Sequence, residues 1–73
     1  MTDDDYVRIL QVISDYWLAY GYAPSIRDVA RLVNLPTTTT AERLDDLEAE
    51  GAIVRTRGIP RSMRVVTRDE AAA

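Results

Sequence analysis

The chain has no cysteine and no histidine. Disulfides are therefore excluded, and so is a zinc site built from those two residue types. Lysine is missing as well: all nine basic residues are arginine, a bias that GC-rich genomes produce. No glycine-rich phosphate loop is present, and the acidic pairs fall on polar helix faces without an evident pocket. No enzyme activity, cofactor or metal is expected. No apolar run approaches the roughly 20 residues that cross a bilayer. The opening Met-Thr-Asp-Asp-Asp lacks the basic start of a signal peptide. A cytoplasmic protein without a membrane partner is expected.

What is there is a single domain's worth of material. Seventy-three residues at 47% hydrophobic can build one small core. A domain of this size buries only about 60% of its unfolded surface. The net charge of −3 argues against a nucleic-acid partner, but its distribution argues otherwise. Residues 44–52 carry Asp45, Asp46, Glu48 and Glu50 without a base. Residues 53–68 carry Arg55, Arg57, Arg61, Arg64 and Arg68 without an acid.

Apolar spacing predicts a first helix from Asp3 to Tyr20, capped by Thr2 or Asp3. Its buried stripe is Ile9, Leu10, Ile13 and Trp17, extended by Tyr6 and Tyr20, and Gly21 stops it. Tyr16 and Tyr22 are open between core and partner surface. Ser25 opens a second helix through a Ser25–Asp28 capping box. Ile26, Val29, Ala30 and Val33 form its inner face, and Asn34 suits a left-handed C-cap. A third helix runs from Thr37, a candidate N-cap, to about Glu50, and Gly51 ends it. Thr40, Leu44 and Leu47 face inward. Thr38, Glu42 and Asp45 face outward with Thr39 and Asp46 beside them, and Arg43 lies on the flank, within reach of Asp45 and Asp46. Ile53–Arg57 and Ser62–Val66 read as strands around a turn at Gly58–Arg61. Residues 1–67 then form the domain, and 68–73 a flexible tail.

The fold class is α+β, mainly α: a three-helix winged helix-turn-helix with a C-terminal two-stranded β-hairpin wing. Two short helices joined by a tight turn make a helix-turn-helix, whose second helix enters the major groove of duplex DNA. Its first residues, Thr37, Thr38 and Thr39, combine a hydroxyl for phosphate or base with a methyl that packs on thymine. Thr37–Thr40 equally suit a capping and turn cluster. Arg55, Arg57, Arg61 and Arg64 give the hairpin phosphate-binding charge, and an arginine at the tip suits a minor groove; an ordinary solvated face is the plainer alternative. The acids on the third helix oppose the DNA reading, because carboxylates repel phosphates, although Glu42 can accept from a cytosine amine.

At three stretches the chain resembles the N-terminal DNA-binding domain of LexA-type repressors. They are Gly21-Tyr22-Ala23-Pro24-Ser25-Ile26-Arg27-Asp28-Val29-Ala30, Leu44-Asp45-Asp46-Leu47-Glu48-Ala49-Glu50-Gly51-Ala52-Ile53, and Pro60-Arg61-Ser62-Met63-Arg64-Val65. The resemblance covers roughly Tyr6 to Val66. It implies that the third helix reads DNA and that the hairpin is the wing. Thr37, Thr38, Thr39, Glu42 and Arg43 then fall where family members contact bases and backbone. The chain departs from the pattern in a turn one residue shorter over Asn34–Thr40 and in the acidic face of the third helix. No peptidase domain is expected, and without lysine a serine–lysine dyad cannot form.

The expected function is a small sequence-specific regulator of transcription, a repressor, bound to double-stranded DNA. The DNA-binding set is Ser25, Arg27, Thr37, Thr38, Thr39, Glu42, Arg43, Arg55, Arg57, Arg61 and Arg64. One copy would hold a half-site weakly, so a homodimer through the first helix or the hairpin edge is a candidate assembly. Two alternatives remain. One is a winged-helix module that binds a protein partner or mimics DNA through its acidic surface. The other is an architectural or recombination factor.

Overall fold

The computed structural model describes residues 3–56 and 58–66. Three helices precede a small sheet: α1 (Asp3–Tyr20), α2 (Ile26–Val33), α3 (Thr37–Ala49), β1 (Ile53–Val54) and β2 (Arg64–Val65). The strands pair antiparallel, with Ile53 opposite Val65 and Val54 opposite Arg64. This is the mainly helical winged helix-turn-helix expected from the sequence.

Local chemistry sets the helix ends. The Ser25 hydroxyl accepts from the Asp28 N–H at 3.1 Å, and the Asp28 carboxylate accepts from the Ser25 N–H at 3.1 Å, which closes the capping box of α2. At its other end Asn34 adopts φ 60°, and Leu35 N–H donates to the Ala30 carbonyl. Gly51 does the same for α3 at φ 80°: its N–H donates to Glu48 O, and that of Ala52 to Leu47 O. Both ends are Schellman closures, which require a residue that tolerates the left-handed region.

The core gathers Ile9, Ile13, Val29, Val33, Leu44, Leu47, Ile53 and Met63, with Ala23 at its edge. Every helix and the hairpin contribute, so the wing is packed into the domain. Thr40 is buried among them, its hydroxyl donating to the Pro36 carbonyl at 3.0 Å. That local bond satisfies a polar group that would otherwise be costly inside the core.

Several expectations are corrected. Trp17 and Tyr20 are not core residues: they are 37% and 61% exposed, because the last turns of α1 run past the end of the core. Tyr20 instead packs at a tilt against Tyr16 and Tyr22, ring centroids 4.5 and 6.0 Å away. Pro36, not Thr37, is the N-cap residue of α3, and no side chain caps that end. The strands are two residues long. Beyond them the Ser62 hydroxyl accepts from the Thr56 N–H and donates to the Thr56 carbonyl, which replaces the ladder by a side-chain tie. The expected N-cap Thr2, the tail 68–73 and Arg57 lie outside the described residues.

Candidate nucleic-acid interface

With Pro36 as the cap, Thr37, Thr38 and Thr39 form the first turn of α3. Thr37 and Thr38 are exposed and Thr39 is half-buried. No acid occupies this turn. Glu42 follows one turn later, also exposed. The backbone N–H groups of an uncapped first turn face outward, where an anion or a base edge can meet them.

Three of the acids that oppose DNA binding in the sequence, Asp45, Asp46 and Glu48, have partners within the fold. Arg55 reaches back from the wing onto α3, with Nη2 2.6 Å from Asp45 Oδ1 and 2.8 Å from Glu48 Oε1. Its side chain is only 18% exposed. The Tyr6 hydroxyl donates to Asp46 at 2.7 Å, and this bond to a carboxylate holds the phenol above its ordinary pKa. Among the described residues neither Asp45 nor Asp46 forms an ion pair with Arg43, which the sequence puts within reach of both. The Arg43 guanidinium lies 5.9 Å from the centre of the Tyr6 ring, and its buried Nε has no hydrogen-bond partner among the described residues.

Arg61, its side chain 43% exposed, also bonds to the helices. It ends the wing's turn at φ 56°, and Nη1 lies 2.9 Å from Asp28 Oδ2. The same nitrogen donates to the Tyr16 hydroxyl at 3.1 Å and to the Ala23 carbonyl at 3.3 Å. Its guanidinium stands 5.4 Å from the Tyr22 ring centre. Arg27 on α2 and Arg64 on β2 are exposed. Between the helices and the wing lies a groove of about 520 Å³ whose lining includes Ser25, Arg27, Arg55 and Arg61. Of the residues singled out in the sequence, the fold thus gathers these four. It keeps the threonines and Glu42 along α3, and it packs Arg43 against α1.

Sequence reasoning overlooks three residues that build this arrangement. Arg8 of α1 donates to the Val33 carbonyl at 2.6 Å and so neutralises the negative end of α2. The Trp17 indole N–H donates to the Met63 carbonyl at 3.0 Å. Ser62 ties the wing's neck. Arg8 and Trp17 meet partners 25 and 46 residues away, so no local pattern reveals them.

No described helix is long and apolar enough to cross a membrane. Residues 5–62 match the model of the LexA DNA binding domain. The chain is 38% identical over 63 residues to the LexA repressor of Exiguobacterium sp., covering 85% of this chain and 31% of that protein. It is 36% identical over 64 residues to the LexA repressor of Pseudothermotoga lettingae, covering 88% of this chain and 32% of the relative. It is 41% identical over 59 residues to the LexA repressor of Corynebacterium jeikeium, covering 80% of this chain and 22% of the relative. The chain therefore spans a third or less of the length of these relatives. Its three helices, its wing and these matches together make it a member of the LexA DNA-binding domain family.

Proposed function

We propose that the chain binds double-stranded DNA sequence-specifically and represses transcription by occupying its site. The observation that carries this reading is the state of α3. Its first turn is exposed, polar and free of acids, while Asp45, Asp46 and Glu48 further along are held by Arg55 and Tyr6. Arg55 thereby offsets part of the charge conflict seen in the sequence.

In this reading Thr37, Thr38, Thr39 and Glu42 meet base edges in the major groove. Ser25 and Arg27 lie at the start of α2, where phosphate contacts orient such a domain. Arg64 on the exposed side of β2 and Arg57, assigned from its charge alone, supply wing contacts to the backbone. Arg43 and Arg55 serve mainly to hold α1 and the wing against α3. Repression follows from the matched relatives, which are named LexA repressors. Two copies on paired half-sites would give the affinity that one small domain lacks. The pairing of Asp45 and Glu48 with Arg55 also takes part of the acidic surface that the protein-partner and DNA-mimic readings need.

The test is a titration of labelled duplexes at several salt concentrations. Log affinity should fall linearly with log salt. Absence of binding to random and genomic fragments at low salt would rule the reading out.

A further inference from the structure

The sheet that carries the wing has two residues in each strand. A ladder this short cannot by itself hold a hairpin at a fixed angle. Contacts from the wing to the helices must do so, and Arg61 lies at its turn. Its left-handed backbone crowds the Cβ of a residue that has one. The contacts to Asp28, Tyr16, Ala23 and Tyr22 hold it there. The Tyr16 hydroxyl accepts from Arg61 and donates to Asp28 Oδ2 at 3.3 Å, so the three polar groups close a triangle. Asp28 is also the capping-box residue of α2, so the triangle joins the wing's turn to the start of the helix-turn-helix.

The Asp28 side chain is 13% exposed. Swinging Arg61 out to a phosphate would take the nearer cation from a largely buried carboxylate and leave it only the exposed Arg31, whose Nη2 lies 3.3 Å from Asp28 Oδ1. We infer that Arg61 is a positioning residue for the wing and not a phosphate contact: latched to Asp28 of α2 and Tyr16 of α1, it sets the angle of the wing's turn against the helices, while Arg55 and Met63 tie the wing nearer the sheet. This inference rests on the DNA-binding reading above. The wing's remaining cations reach the backbone only when that angle is right, so losing the latch weakens binding without removing a contact.

Two variants test this. Arg61→Gly abolishes the latch yet suits the left-handed backbone, so the turn is retained. Tyr16→Phe opens the triangle without changing charge. Residual dipolar couplings of the free proteins report the wing's orientation, with α1 to α3 as internal reference. Wing couplings should change in both variants while helix couplings stay. Duplex affinity should fall about tenfold in Arg61→Gly and severalfold in Tyr16→Phe, with the slope of log affinity against log salt unchanged. A slope shallower by about 0.9 in Arg61→Gly marks a lost phosphate contact and overturns the inference. Wing couplings at wild-type values in both variants overturn it too. If the unaltered protein binds no duplex, the DNA-binding reading fails, and the couplings alone still decide whether the latch orients the wing.

Discussion

The indole N–H of Trp17 donates to the main-chain carbonyl of Met63 at 3.0 Å, joining the end of α1 to the returning arm of the wing. The Met63 side chain, 4% exposed, enters the core from the same residue. One residue thus fastens the hairpin twice, by backbone and by side chain. With the Arg55 and Arg61 ion pairs, the wing has four ties to the helices, enough to compensate for a sheet of minimal length.

Replacing Trp17 with phenylalanine keeps most of the ring and removes the donor. The expected cost is about 1 kcal/mol, the net worth of an ordinary intramolecular hydrogen bond. Urea unfolding followed by circular dichroism measures it. An unchanged midpoint would mean that water replaces the indole at no cost.

Met63→Ala leaves a cavity under the wing. Deleting a buried methionine side chain typically costs about 2 to 5 kcal/mol. In a domain of this size such a loss is a large share of total stability. The same denaturant series should show the midpoint falling much further than in Trp17→Phe. Amide exchange at Ile53 and Val65 should accelerate with it, since these residues pair in the sheet.

The Asp28 carboxyl is held below the ordinary carboxylate range, first by the Ser25 backbone N–H and further by Arg61 and Tyr16, against partial burial. A carboxyl whose folded pKa lies below its unfolded value stabilises the fold above the unfolded value, near 3.9. That contribution is lost as pH falls through the folded pKa. Acid titration of the unfolding midpoint should therefore show a loss below about pH 4. Asp28→Asn should be less stable at neutral pH and should lack that part of the acid slope. Parallel curves for the two proteins would remove the assigned role.

Thr38→Ala removes a hydroxyl and a methyl from the exposed first turn of α3 and no charge. Selection from a random duplex pool should yield a changed or relaxed base preference, by roughly 1 kcal/mol at the affected position. The salt slope should match the unaltered protein. An identical preference would place base reading elsewhere.

The sequence by itself determined the helices, several of their ends and most of the core. Capping is decided within a few residues: Ser25 with Asp28, Asn34 after Val33, and Gly51 after α3 are all local pairings of side chain or backbone freedom with a helix terminus. Ile9, Ile13, Leu44 and Leu47 were legible because helical period alone puts them on one face. The run of arginines after residue 52 was equally plain, and so was the family they belong to.

What those arginines do was decided only in three dimensions. A guanidinium at the end of a long flexible stem reaches whatever acceptor the fold brings near. For Arg55 that is α3, and for Arg61 it is the start of α2, 33 positions earlier in the chain. Sequence spacing carries no record of such meetings, nor of Trp17 leaving the core to hold Met63. The arginine-rich hairpin was visible in the sequence as charge. The tertiary structure engages part of that charge, pairing Arg55 with α3 and Arg61 with Asp28, because the acids they meet converge on the wing only after the chain has folded.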